Sequence, residues 1–258
     1  MRSLVVGLMV AWCLPAPAQF AWPEGKRVAV SFSFDDARAS QVNVGLPLLA
    51  KHKARVTFYV NPRALEKELP LWRQAVKDGH EIGNHSTSHP CSGNFSWSRK
   101  NALEEFTLAR MEDDLAAASK EIERLLGVRP ATFAYPCGAK FVGRGTGAQS
   151  YVPLVARLFL AGRGFRDEAA NDPEFFDFAQ VLGIDSDGLS FAQMRTLVEQ
   201  ASQQRGWVVF AGHDIGAPGR QTTEAEALDQ FLKWAGEANN GVWVERVDRV
   251  AEYVKGRR

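Results

Sequence analysis

Apolar and polar positions along this chain switch repeatedly between a period of two and a period near 3.6, the signatures of strand and helix. Residues 27–34 set Val28, Val30, Phe32 and Phe34 against Ala29, Ser31 and Ser33, which predicts a strand. Residues 55–60, rich in β-branched and aromatic side chains, predict a second. Further strands are expected at 80–84, 131–135, 181–184, 207–211 and 242–245. Helical spacing runs through 42–52 (interrupted by Pro47), 65–77, 103–126, 151–160, 191–204, 223–238 and a terminal segment to about residue 253. Gly79 and Gly127 stop two of these helices, and Thr222 or Thr223 is placed to cap the one that follows. Residues 90–100 and the glycine-rich 138–147 read as loops. About seven strands alternating with helices imply a parallel α/β sheet, closed as a barrel or doubly wound. No internal repeat or charge block marks a second domain.

The first 18 residues stand outside this pattern. Arg2 supplies a positive charge, residues 4–14 an apolar run, and Ala16-Pro17-Ala18 a small-residue cleavage site. These are the parts of a secretory signal peptide, so 19–258 is expected to be the mature single domain, secreted or periplasmic. The apolar run is shorter than the roughly 20 residues needed to cross a bilayer. No second long apolar run follows, so no membrane span is expected in the mature chain. Lipoprotein processing at Cys13 is the alternative, with bulky Trp12 against it.

Composition narrows the partners. Lys and Arg number 31 against 30 Asp and Glu, a formal net charge of +1, without the basic excess that nucleic acid would select. With 45% hydrophobic and 24% charged residues, disorder, collagen and coiled coil are excluded. Cys13 leaves with the signal peptide. Cys91 and Cys137 could pair in an oxidising compartment or remain thiols.

Parallel α/β folds collect functional groups at the carboxyl ends of strands. Four predicted ends carry unusual residues. Asp35-Asp36 follows the first strand. Neighbouring strand side chains point to opposite faces, so both carboxylates enter one site only if the strand terminates there; a helix cap or solvated turn is the plainer alternative. His85 and His89 follow the third strand, and a helical turn between them would bring both imidazoles to one ion; two surface or capping histidines are the alternative. With a carboxylate such as Asp36, they would leave a tetrahedral ion one open position, a catalytic arrangement. Phe133-Ala134-Tyr135-Pro136-Cys137-Gly138 ends a strand abruptly and can present backbone N–H groups, or is an ordinary strand exit. His213 follows Ala211 and Gly212, whose small size leaves room for a ligand, or is a core histidine bonded to backbone.

Together these segments resemble the polysaccharide deacetylase family, the NodB-homology domain of carbohydrate esterase family 4. The resemblance rests on Phe34-Asp35-Asp36, on His85, Ser86 and His89, on the flanking Gly79-His80-Glu81-Ile82-Gly83-Asn84, and on Val56-Thr57-Phe58-Tyr59-Val60. It extends to His213, where Ala211 stands for the usual Leu of the last motif. Motif order agrees from about residue 27 to 253. The resemblance implies a distorted, TIM-like (β/α) barrel of about seven parallel strands. It implies a divalent metal, Zn²⁺ first and Co²⁺ or another ion next, held by Asp36, His85 and His89. Asp35 would be the general base, His213 the general acid, the Cys137 N–H an oxyanion donor, and Tyr135 a substrate contact beside it. The partner would be an acetylated carbohydrate: chitin-like, peptidoglycan or exopolysaccharide. Two departures stand out. The third motif usually opens with an Arg that holds the base, and Ala134 occupies its place. The fourth motif pairs an Asp with a Trp; Asp185 or Asp187 could serve, without the Trp. Phe95 and Trp97 could stack on a sugar ring, although covering the loop's own core is the favoured reading. An O-acetyl esterase, a hydrolase of another small amide, and a non-catalytic carbohydrate-binding protein with a decayed site are the competing functions; the oligomeric state is left open.

Overall fold

The computed structural model describes residues 20–258, so the signal peptide assigned to 1–18 lies outside the described residues. Eight parallel strands build the sheet: β1 (Val28–Asp35), β2 (Thr57–Val60), β3 (Glu81–Asn84), β4 (Thr132–Ala134), β5 (Ala161–Arg163), β6 (Ile184–Asp185), β7 (Trp207–Gly212) and β8 (Val242–Val244). Seven run side by side in the order β5-β4-β3-β2-β1-β7-β6. The two outer edges meet: Gly164 N donates to Val181 O at 2.7 Å, and Val181 N to Gly162 O at 2.8 Å, just ahead of β6. The sheet is thus curled into the expected TIM-like barrel, with helices around it. β8 pairs with the first half of β1, from Val28↔Val242 to Val30↔Val244, while β2 pairs with the second half.

The alternation in β1 separates two environments. Val28, Val30, Phe32 and Phe34 face outward into the main core, against Leu46, Leu49, Met194, Leu228 and Phe231 of the surrounding helices. Ala29, Ser31 and Ser33 belong to the opposite, interior row. There the Ser33 hydroxyl donates to Phe210 O (2.8 Å) and the Trp207 indole N–H to Ser31 Oγ (3.0 Å). Asp35 is the next position of that row. The same period carries Glu81 and Gly83 on to His85, and Trp207, Val209 and Ala211 on to His213. Asp35 is therefore the last interior position of β1, and His85 and His213 continue the interior rows one residue past the ends of β3 and β7.

Some expected boundaries move. The strand Ala161–Arg163 occupies a stretch for which the pattern gave no strand and ran a helix to 160; three residues are too few to show a period. The helix expected from 103 starts at Leu108, because the Thr107 side chain accepts from Arg110 N and caps it there. Thr222–Glu224 pairs with Asp214–Gly216, so Glu224, not Thr222 or Thr223, precedes the helix Ala225–Gly236. No helix among the described residues is long and apolar enough to cross a membrane.

At the amino ends of β2, β3 and β4, the buried Glu81 carboxylate accepts from Thr57 Oγ1 (2.6 Å), Thr132 Oγ1 (2.6 Å) and Asp248 N (3.0 Å), the last at the start of the helix Val247–Lys255. Burial, with the Asp248 carboxylate adding to it, holds the Glu81 pKa well above the usual carboxylate range. A folded-state pKa above the unfolded one gives a contribution present at low pH and lost as pH rises through the folded value. Glu81→Ala should therefore cost about 2–4 kcal/mol, because two hydroxyls and an amide lose their acceptor. Glu81→Gln should cost less and should flatten the fall of stability above about pH 4.5. Urea unfolding midpoints across pH check both.

Candidate active site

The chain turns sharply where β1 ends. Asp36 (φ 76°) and Ala37 (φ 53°) are both left-handed, a conformation uncommon outside glycine and tolerated by Asp. The strand stops at Asp35, and both carboxylates reach one cleft of about 450 Å³, which His89, Cys137 and His213 also line. Asp36 is shared between two sides. Its Oδ1 lies 3.6 Å from His85 Nε2 and 3.4 Å from His89 Nε2, while its Oδ2 accepts from Arg38 Nη2 at 3.0 Å. One potential ligand atom from each of Asp36, His85 and His89 lies within 4.8 Å of the others.

The two histidines converge without the helical turn expected between them. Ser86 (φ 63°) and His89 (φ 48°) are left-handed, and the loop is pinned locally. Asn84 Oδ1 accepts from Ser86 N (2.7 Å), Ser86 Oγ from His89 N (2.9 Å), and Asp114 Oδ2 from Thr87 N (2.9 Å). His85 is fully buried, and its Nδ1 bonds Ala134 O at 3.0 Å. A carbonyl only accepts, so Nδ1 carries the proton and Nε2 presents its lone pair. Among the described residues, that Nε2 is buried without a hydrogen-bond partner. Burial pushes the His85 pKa down to about 4, with the nearby carboxylates only partly opposing it. A neutral imidazole with an orphaned nitrogen beside a second imidazole and a carboxylate oxygen fits a divalent metal ion. For Asp36, burial alone would raise the pKa, but His85, His89, His213 and Arg38 outweigh it and hold it below its ordinary value.

His213 is oriented from the other side. Asp187 Oδ2 lies 2.6 Å from its Nδ1, and Asp187 Oδ1 accepts from its backbone N–H at 3.1 Å. Burial opposes the charged ring, but the Asp187 hydrogen bond and the Asp35, Asp187 and Asp36 charges together raise its pKa. The space expected for a ligand beside Gly212 is taken by protein: a Cβ there would lie 2.3 Å from Thr223 Oγ1 and 2.7 Å from Ser186 Oγ. Gln41, fully buried, donates to Asp35 O (2.6 Å) and to His213 O (2.8 Å), tying the ends of β1 and β7 together.

The polysaccharide deacetylase family model matches residues 23–144. Over that stretch, just under half of the chain, this protein is similar to the family. Peptidoglycan-N-acetylmuramic acid deacetylase PdaC of Bacillus subtilis is 25% identical over 212 residues, which cover 82% of this chain and 36% of PdaC. The chain spans between 10% and 38% of the length of the curated relatives it matches. Among solved structures, a polysaccharide-deacetylase-family protein of Mycobacterium smegmatis superposes with a TM-score of 0.66 at 19% identity, covering 94% of this chain and 95% of the other. A family 4 acetyl xylan esterase of Clostridium thermocellum, in complex with a cobalt ion, superposes with a TM-score of 0.57 at 19% identity, covering 87% and 91%.

The polysaccharide deacetylase motifs can now be followed onto the fold. The guanidinium absent at Ala134 comes from Arg163, one strand away. Ala134 and Arg163 are register partners of β4 and β5, and Arg163 Nη2 donates to Asp35 Oδ1. Arg163 is fully buried, its Nη1 donates to Gly164 O (2.8 Å), and its guanidinium lies 5.0 Å from the Tyr59 ring centre. Of the two candidates for the fourth motif, Asp187 serves His213, and Asp185 instead pairs with Arg166. Tyr135 does not line the cleft: its side chain is buried against Phe133 and Tyr151, and its hydroxyl donates to Ala179 O at 2.8 Å. Cys137 does line it and is disulfide-bonded to Cys91, which joins the loop carrying His89 to the loop after β4. Phe95 and Trp97 do not cover the loop's core. They are 47% and 62% exposed, stack at 5.5 Å, and form a wall of the cleft beside His89. Arg163, Gln41 and Arg38 escaped the sequence reading, since none sits in a periodic or motif-like stretch.

Arg163→Met should leave Asp35 buried without its counter-charge. The expected result is a stability loss of about 3–5 kcal/mol together with lost turnover and retained metal binding. Ala134→Arg in the same chain, which restores a guanidinium at the same level, should recover part of both; unfolding midpoints and metal titration test it. Asp187→Asn removes a group that raises the His213 pKa. The alkaline limb of the pH–rate profile should therefore shift to lower pH, with the acid limb unmoved.

Proposed function

We propose that this protein is a metal-dependent hydrolase that removes N-acetyl groups from a sugar polymer or oligosaccharide and releases acetate. One observation carries the reading: Asp36 and His89, which form a donor set with His85, line the same cleft as a carboxylate held by Arg163 and an imidazole held by Asp187. A Zn²⁺ ion, or Co²⁺ in its place, would be held by Asp36, His85 and His89 and would supply Lewis acidity and a bound water whose pKa falls to about 7.

The chain's own groups divide the remaining work. Arg163 keeps Asp35 oriented, and Asp35 accepts the proton of the water that attacks the acetyl carbon. The Cys137 backbone N–H donates to the oxygen that becomes negative. Asp187 holds His213 by Nδ1, which leaves Nε2 to protonate the departing sugar amine as its bond to the acetyl carbon breaks. An amine leaves poorly without a proton, whereas an alcohol or activated ester needs one less. The raised His213 pKa, which keeps the acid protonated, therefore favours amide over ester substrates. The arginine supplied by β5 also removes the reason to read the site as decayed, because the base keeps its counter-charge. A disulfide beside the cleft supports an exported protein working in an oxidising compartment, in line with the signal peptide expected at 1–18.

Acetate release from a panel of N- and O-acetylated glycans, with and without chelator, tests the reading. Chelation should abolish turnover, and added Zn²⁺ or Co²⁺ should restore it. Asp36→Ala should lose both metal and activity. Asp35→Asn should keep the metal and lose turnover by about 10²–10⁴-fold. His213→Ala should keep the metal and suffer far more on an N-acetyl sugar than on an activated acetate ester; equal losses on both would contradict its role as the acid.

A further inference from the structure

The cleft contains more positive charge than this chemistry uses. Its two carboxylates are both engaged, Asp35 by Arg163 and Asp36 by Arg38. Arg38 is itself spent: besides Asp36 it donates to Asp214 Oδ2 (2.7 Å) and Gln221 Oε1 (3.0 Å). Two further arginines line the cleft, Arg166 and Arg220, and among the described residues no other acidic residue and no lysine lines it. Arg166 follows Phe165, whose ring meets His213 edge-on at 5.4 Å. Its guanidinium lies 5.1 Å from the Phe165 ring centre and gives only Nε to Asp185 (3.1 Å), so its two terminal nitrogens keep their donors for another acceptor. Arg220 is exposed, and among the described residues its guanidinium has no hydrogen-bond or ion-pair partner. Gln221, anchored on Arg38, fixes the backbone next to it. The same cleft is also lined by the stacked Phe95–Trp97 pair. A neutral pyranose would use the aromatic wall and leave both guanidinium groups to solvent. An anionic one would use both, because a guanidinium fork matches a carboxylate.

We infer that the cleft selects an acetylated glycan bearing a carboxylate, which Arg166 and Arg220 receive while the sugar ring lies on Phe95 and Trp97. This rests on the deacetylase reading and adds the charge class of its substrate. The carboxylate is either that of a uronic acid, at C6 of the ring, or one carried on an ether at O3.

Acetate release is measured for three matched N-acetylated oligosaccharides: a neutral N-acetylglucosamine oligomer, the same backbone with a lactyl ether carboxylate, and an N-acetylhexosaminuronic acid oligomer. One carboxylated substrate should exceed the neutral one by about tenfold in kcat/KM, mainly through KM, and which one does so identifies the source. Raising the salt to about 0.5 M should reduce the preference. The Arg166→Gln, Arg220→Gln double variant should bring the ratio close to one, and Arg220→Glu below it. Equal kcat/KM for all three substrates, or a preference that survives the double substitution, overturns the inference and leaves the deacetylase reading standing. If no substrate releases acetate, the deacetylase reading fails and calorimetric titration decides the inference instead. The carboxylated oligomer should bind the wild-type chain about tenfold tighter than the neutral one and lose that advantage in the double variant, and equal Kd values overturn it.

Discussion

The buried pair between Arg163 and Asp35 is the contact on which the site depends. Both side chains sit inside the barrel mouth, where an isolated charge would cost several kcal/mol. Each is acceptable only because the other is there, with Gly164 O and the Tyr59 ring face taking more of the guanidinium's positive charge. The pair holds β5 against β1 across the barrel interior. With its own guanidinium, Asp35 does not compete with Asp36 for Arg38. Asp36 is left to turn one oxygen to the two imidazoles and the other to Arg38.

Around that pair, environment assigns opposite roles to chemically similar groups. His85 and His213 are both buried imidazoles at strand ends. His85 faces a backbone carbonyl at Nδ1 and is driven neutral by burial, which suits a metal ligand. His213 faces a carboxylate at Nδ1 and is held protonated to higher pH, which suits an acid. The contrast comes from burial, which prevails at His85, and from the Asp187 hydrogen bond and surrounding carboxylate charges, which outweigh it at His213.

The loops above the barrel complete the cleft and are held by different means. The disulfide joins the His89 loop to the Cys137 loop across 46 residues of sequence. Closing a loop of that length removes unfolded-state freedom worth about 4 kcal/mol in chain-entropy terms. The Phe95–Trp97 wall belongs to the same loop, next to His89, so the side that would meet a sugar and the side that would hold a metal are built on one segment.

Residue types at strand ends were legible from the chain alone. Period-two alternation in 27–34 separates an apolar outer row from a small inner row, and extending the inner row by one position lands on Asp35; the same holds for His85 and His213. Strand–helix alternation was enough to imply a parallel α/β sheet, barrel or doubly wound, because most strands of that fold announce themselves locally through side-chain period, and the family resemblance pointed to the barrel. Arg163 was invisible for the converse reason. Its strand is three residues long, and the need for a guanidinium there arises only when register sets it beside Ala134 and across from Asp35. The choice of Asp187 over Asp185, the left-handed turn that replaces a helical one between His85 and His89, and the closure of Cys91 onto Cys137 are likewise matters of distance between segments far apart in sequence. Side-chain period belongs to a single strand and is written in it; pairing of charges and ring nitrogens belongs to the space between strands, which only the folded barrel defines.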